Sequence, residues 1–429
     1  MTLSRIGRIS LALVVSVAMG LGMTSCGGGT IGYMWVLGTQ YNQIAGFKID
    51  DYTGNLTQSV GSPYPSGGTN PVMLTLKSGG RYLYVLNAGI PAAPATATTP
   101  AVAGVAANIA LFSVGGDGTL TFQQSYTSQG TNPVYITTDS TGNYLYVLDQ
   151  QSQDYATTGN GDITVFSLDP NTGRPSLITN AQQKGPTGAQ LTYFEVGPHP
   201  TQFQYSSNGC IYTLDSPLAP GTTTPVTGGQ TIFPYAVSST NGQLTQTSNS
   251  TIALPTANAT SVNVGGSYVY VTDAGSALGG PGSIVPYTQG SACSLQTVAG
   301  GTVSNLPTAS NPIQTITVTG SAGSFLYVVN HSNANTNYAN SSISAFTILT
   351  NGQLQQVGDT ANPYSTGAGP VCIQEDPTKQ YLYTSNYDGT VTGKLLSASK
   401  GQLSALTRGS SFPAVGQASC MVISSYTGY

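Results

Sequence analysis

N-P-V-Y-I-T-T-D-S-T-G-N-Y-L-Y-V-L-D, from Asn132 to Asp149, is the stretch from which the fold is read. Asn-Pro opens an extended segment, because proline disfavours helix at the residue before it and cannot donate to a ladder. Val, Tyr, Ile and Thr then suit a pleated, half-buried surface. D-S-T-G-N is a tight polar turn, and Y-L-Y-V-L is a second strand. A turn this short joins antiparallel neighbours.

The second strand anchors a repeat. It recurs as YMWV at Tyr33, YLYV at Tyr82, YLYV at Tyr144, CIYT at Cys210, YVYV at Tyr268, FLYV at Phe325 and YLYT at Tyr381. Segments like NPVMLTL from Asn70, NPIQTITV from Asn311 and GPVCIQE from Gly369 precede it. A third strand follows, as in ITVFSL from Ile163. A turn such as DGTL, NGQL or KGQL then leads to a fourth, more polar one. The period matches one four-stranded propeller blade. Tyr33 has no N-P strand before it, whereas Ala414–Ile423 reads as an N-P-type strand with no anchor after it. The expected fold is therefore all-β: seven antiparallel four-stranded blades, closed by a C-terminal strand that completes the first blade.

The first residues read as an export signal. Arg5 and Arg8 precede a short apolar run, Ile9–Met19, and L-G-M-T-S-C ends at Cys26. A small pair directly before a cysteine suits lipoprotein processing. The expected organisation is a signal peptide over 1–25, a lipidated Gly-rich tether over 26–30 and the propeller over 31–429. The expected product is an exported monomer, held to a membrane of the bacterial envelope by lipid on Cys26.

Only 6% of residues are charged, against roughly 25% in typical domains. Tyr and β-branched residues, rather than charge, dominate the strands, which argues against disorder. With 11 Lys and Arg against 15 Asp and Glu, there is no basic patch for a nucleic acid. No G-x-S-x-G elbow, phosphate-binding loop or Cys-x-x-Cys pair occurs, so no cofactor or metal is expected. The S-x-x-K match at Ser397 and Lys400 falls in a short turn and carries no chemistry.

PVYITTDSTGNYLYVLDQ (Pro133–Gln150), GDITVFSLD (Gly161–Asp169) and YVTD (Tyr270–Asp273) resemble the lactonase-like propellers: 6-phosphogluconolactonases, carboxymuconate cyclases and YVTN-repeat surface proteins. The resemblance covers essentially the whole chain after the signal. It implies a G-P-R-H-like stretch on the channel face of the enzymes. FEVGPHP (Phe194–Pro200) matches at Gly197, Pro198 and His199 but lacks the Arg. It implies His199 as a base with Glu195 assisting.

Insertions gather on one face, in the 2–3 and 4–1 connections: Ala88–Ala106, Gln150–Asn160, Ser216–Gln230, His331–Asn340 and the approach Ile178–Gly197. Such a face is the expected binding surface. Polar residues end the anchor strands there: Asn87, Asp149, Asp215, Asp273, Asn330 and Asn386. They read either as Asx-turns or as a rim that binds a sugar or cation. His331 falls on this face with Tyr155, Tyr193, Tyr338 and Tyr387, which suit stacking on sugars or partner proteins. Two functions remain open. One is a binding or scaffold module for a neutral glycan or envelope protein; the other is a hydrolase of an uncharged lactone.

Four further cysteines allow three connectivities in an oxidising compartment. The strand assignment favours Cys210–Cys293 with Cys372–Cys420, and four free thiols are the alternative.

Overall fold

A computed structural model describes residues 29–425 apart from 94–100, 102, 217–228, 248–250, 276–280, 305, 308–309 and 333–336. The signal, Cys26 and parts of the long loops lie outside the described residues. Seven antiparallel sheets make the ring. Their inner strands are Ala418–Ser424, Pro71–Leu76, Thr131–Thr138, Pro200–Ser206, Ala259–Gly265, Pro312–Gly320 and Pro370–Glu375, for blades one to seven. Each anchor lies second from the channel. The C-terminal strand pairs antiparallel with Thr30–Gly38, setting Tyr33 opposite Ser424 and Val36 opposite Met421. Closure is thus a backbone ladder, and it leaves the first blade no open inner edge.

Two blades have four strands and five have an additional short one, which corrects the uniform four-strand expectation. The extra strand pairs with the third strand beyond the end of the outer one. In blade one, Leu56–Gln58 and Tyr64–Pro65 both flank Gln43–Asp50. The outer strand is therefore one edge interrupted by a loop. Its polar residues carry no hydrophobic period to announce the second piece.

The Y-x-Y pattern is explained by the seams between blades. The aromatics of one anchor reach the 3–4 turn of the next blade. Trp35 Nε1 donates to the Gly118 carbonyl at 3.1 Å, Tyr327 hydroxyl to Gly401 at 2.9 Å, and Tyr383 hydroxyl to Gly54 at 2.6 Å across the closure. Tyr33, Tyr82, Tyr268 and Tyr381 lie one step outward and donate to the same turns. The turn carries glycine because the ring lies on it. At Gly118, with φ +81°, a Cβ would stand 2.2 Å from the Tyr33 ring. Trp35, Tyr84, Tyr146, Tyr212, Tyr270, Tyr327 and Tyr383 are all buried, each contributing on the order of 1.5–3 kcal/mol.

Two seams depart from this rule. Between blades three and four the Tyr144 ring lies on Gly242, but the Tyr146 hydroxyl is buried without a hydrogen bond. Between blades four and five the aromatic is Cys210 and the left-handed turn residue is Cys293, with φ +57°. A disulfide joins them, Cα–Cα 5.7 Å. A second disulfide, Cys372–Cys420, links the inner strands of blades seven and one, Cα–Cα 5.1 Å.

Candidate functional site at the channel mouth

On the long-loop face the channel opens into a cavity of about 350 Å³. Its wall comes from the first residues of the inner strands, including Val72, Val134, Thr201, Ile313, Val371 and Ser419, together with Tyr387. No charged side chain lines it. In five blades the residue after the opening proline lines the cavity, and the register shifts at that point, as between Pro71 and Met73.

The six polar residues ending the anchors are packed inside the ring, not displayed at the mouth. Asn87, Asp149, Asp215, Asp273, Asn330 and Asn386 are all buried. Asn330 Nδ2 donates to the Ser342 and Ser344 hydroxyls, and Asn386 Nδ2 to Thr390 and Thr392. Asn87 Nδ2 donates to Asn108 Oδ1. Asp273 accepts the N–H groups of Asn258 and Gly275. Among the described residues Asp215 accepts from the Thr213 hydroxyl, and burial raises its carboxyl to about 8. The strand ends are thus buried from a ligand, with most of their polarity directed to the adjacent third strand and the preceding loop.

Asp149 is directly opposite Asp162 on the neighbouring strand. Burial raises both carboxyls, and their mutual repulsion lifts Asp162 further. The pair therefore retains a proton where isolated carboxyls would have lost theirs. No group of three or more His, Cys, Asp or Glu residues disposed to hold a metal occurs among the described residues.

His199 is placed by the repeat. Asn70, Asn132, His199 and Asn311 all precede a proline that opens an inner strand, and all have positive φ. Asn tolerates that conformation best of the non-glycine residues. The backbone there accepts the N–H of the residue that follows the anchor: Ala88 to Asn70, Ser216 to His199, His331 to Asn311. His199 Nδ1 is buried without a hydrogen bond, and burial lowers its imidazole. Glu195 lies in a strand, Phe194–Pro198, opposite Asp162, where Asn160 Nδ2 donates to its Oε1 at 2.8 Å. The strand geometry turns Glu195 toward blade three's edge, and neither residue lines the mouth. The two are not hydrogen-bonded to each other among the described residues.

The second histidine, His331, is also outside the cavity lining but packs against Tyr387, which reaches it. His331 and Tyr387 each follow the polar residue that ends an anchor, in blades six and seven, so the repeat brings them side by side. Ring centroids are 6.4 Å apart for His331–Tyr387, 5.3 Å for His331–Tyr338 and 5.6 Å for Tyr338–Tyr387. Tyr387 is 38% exposed and reaches the mouth cavity. His331 Nδ1 is 3.1 Å from the carbonyl of Pro370, the residue that opens blade seven's inner strand. Burial lowers the imidazole, while the Pro370 and Gly369 carbonyls oppose that shift. Ser332, Asn337 and Tyr338 all have positive φ, a concentration of local strain typical of functional loops. Sequence reading named these residues singly; their equivalent repeat positions were the signal that they meet. Tyr155 starts a short helix, Tyr155–Thr158, away from the mouth lining. Tyr193, expected as an exposed loop residue, is buried, with Asp154 as partner.

A family model described as lactonase, 7-bladed beta-propeller, matches residues 30–190 and 287–413. A putative 6-phosphogluconolactonase from Bacteroides uniformis is similar in structure, with TM-score 0.64 and 16% identity over 92% of this chain and 99% of that one. The periplasmic gluconolactonase of Pseudomonas aeruginosa gives TM-score 0.61 and 15% identity, over 91% and 98%. A Lactobacillus plantarum protein gives 0.62 and 16%, over 92% and 100%. At these identities the likeness shows the fold. No curated protein matches the chain.

Proposed function

The chain belongs to the lactonase family of seven-bladed β-propellers, and on that premise we propose that it hydrolyses an uncharged lactone at the long-loop mouth, with His331 as base. The carrying observation is the His331–Pro370 hydrogen bond. A carbonyl only accepts, so Nδ1 bears the hydrogen, and the neutral ring keeps a lone pair on Nε2. Nε2 takes a proton from water as the water oxygen adds to the lactone carbonyl. The tetrahedral adduct then collapses with cleavage of the ring C–O bond. The proton held on His331 passes to the departing alkoxide, giving a hydroxy acid. Tyr338 and Tyr387 supply aromatic surface and hydroxyl donors beside the reacting ester.

The uncharged mouth supports a neutral substrate. A phosphorylated sugar requires convergent cations, and the lining has none. Anchoring through Cys26 belongs to the same proposal and rests on L-G-M-T-S-C; Cys26→Ser should release the protein from the membrane fraction.

A second reading is retention of a neutral glycan or envelope protein without turnover. It is favoured by the lack of an acid partner for His331 within the described contacts. Turnover of a panel of uncharged lactones, followed by release of acid, separates the two. Saturable binding without acid release supports the second reading and ends the first.

A further inference from the structure

Below the mouth the channel widens into a chamber of about 630 Å³ that reaches the short-turn face. Met73, Tyr135 and Gln314 line both spaces and form the collar between them. The chamber has no charged lining residue but several amides and hydroxyls. Part of this polarity stitches the ring together. Gln204 Nε2 donates to the Tyr135 hydroxyl at 2.7 Å, and Gln314 Oε1 accepts the Ile373 N–H at 2.8 Å across a seam.

The rest is unused. Each of those glutamines commits one end of its amide in these bonds. Thr317 Oγ1 is buried without a hydrogen bond. Gln374 is half-buried in the wall, and no bond to its amide is found among the described residues. Two aromatic rings, Tyr135 and Tyr268, complete the surroundings. Blade five opens the chamber toward solvent, because its 1–2 turn is the pair Gly265–Gly266 followed by Ser267. Its size lies within the range of small-molecule sites, which combine apolar and aromatic walls with a few polar groups.

We propose that this chamber is a second binding site, for a neutral polyhydroxylated molecule the size of a monosaccharide. Alternating hydroxyls match the half-used amides as both donors and acceptors, and a charged ligand would enter without a counter-ion. The site is separate from the mouth and does not depend on lactone hydrolysis.

D-glucose and myo-inositol, which have no ester to cleave, are titrated into the exported protein by calorimetry and ligand-observed NMR. Saturable binding of either is expected. Gln374→Met keeps the side-chain length but removes the amide, and should weaken binding about tenfold, the equivalent of one hydrogen bond. Thr317→Val should also weaken it, whereas Tyr387→Ala and His331→Ala at the mouth should leave it unchanged. Melting profiles verify that each variant is folded. Absence of saturable binding to both probes overturns the proposal. So does binding that weakens in Tyr387→Ala but not in folded Gln374→Met or Thr317→Val.

Discussion

On the short-turn face, six of the seven seams set an anchor aromatic on a left-handed glycine of the next blade, and in five of them an anchor side chain donates to that turn. On the long-loop face the equivalent positions have diverged. The residue after the anchor is Ala88, Ser216, Ala274, His331 or Tyr387, although the backbone bond it makes is the same throughout. Repetition at one end gives the ring its strength, and the other end is free to vary because its backbone is already satisfied. The comparison teaches that chemistry should be sought where the repeat is kept in the backbone but broken in the side chains.

The first way to break this comparison is to attack a short-turn seam. Trp35 is fully buried and bonded to Gly118. Trp35→Ala should cost about 3–5 kcal/mol of stability, measured by denaturant unfolding. A loss below 1 kcal/mol would mean that the seams are not what holds the ring. A smaller effect is expected at the disulfide seam. Cys210→Ser with Cys293→Ser opens a crosslink spanning 83 residues and should cost about 2–4 kcal/mol. Equal stability of the reduced and oxidised wild-type protein would contradict this.

The long-loop end has its own stability signature in the Asp149–Asp162 pair. Both carboxyls are raised when folded, Asp149 to about 7. Their contribution is therefore fully present below the unfolded value near pH 4 and is lost as pH rises through about 7. Asp50, Asp117 and Asp169 are shifted the other way, by hydrogen bonds to their own turns, so the wild-type profile mixes both signs. The difference between wild type and Asp162→Asn isolates the share of Asp162, because burial keeps Asp149 raised in both proteins. Wild type should lose stability relative to the variant between pH 5 and pH 8, and a constant difference would exclude the shared proton. The smallest stability effect belongs to His199→Asn, which installs the residue found at Asn70, Asn132 and Asn311. Its melting profile and its lactone turnover should both stay within error of wild type.

The ring and its closure were legible because an aromatic-rich anchor recurs in all seven blades and a proline opens the preceding strand in five of them. The interrupted outer strands were not, since Leu56–Gln58 and Tyr64–Pro65 are short, polar at the edge and without period. The site was only half legible. The family resemblance implied Glu195 beside His199, but the chain from Phe194 to Pro198 is extended and edge-paired, and no hydrogen bond joins the two among the described residues. His331 and Tyr387 are 56 residues apart in sequence, and only the register of two neighbouring blades brings them together. Asn87, Asp149, Asp215, Asp273, Asn330 and Asn386 resembled a binding rim because a buried, loop-satisfying polar residue and a displayed one have the same sequence signature.

His331 is the residue on which the proposed hydrolysis depends. Acid release from an uncharged lactone is followed with wild type, His331→Ala and Tyr387→Ala at matched folded concentration. His331→Ala should remain folded, losing about 1 kcal/mol for the hydrogen bond to Pro370. Its kcat/KM should fall by about 10²–10⁴, the usual contribution of a general base. Turnover in His331→Ala equal to wild type, or lost instead in His199→Asn, would contradict the assignment of the working chemistry to the diverged mouth between blades six and seven.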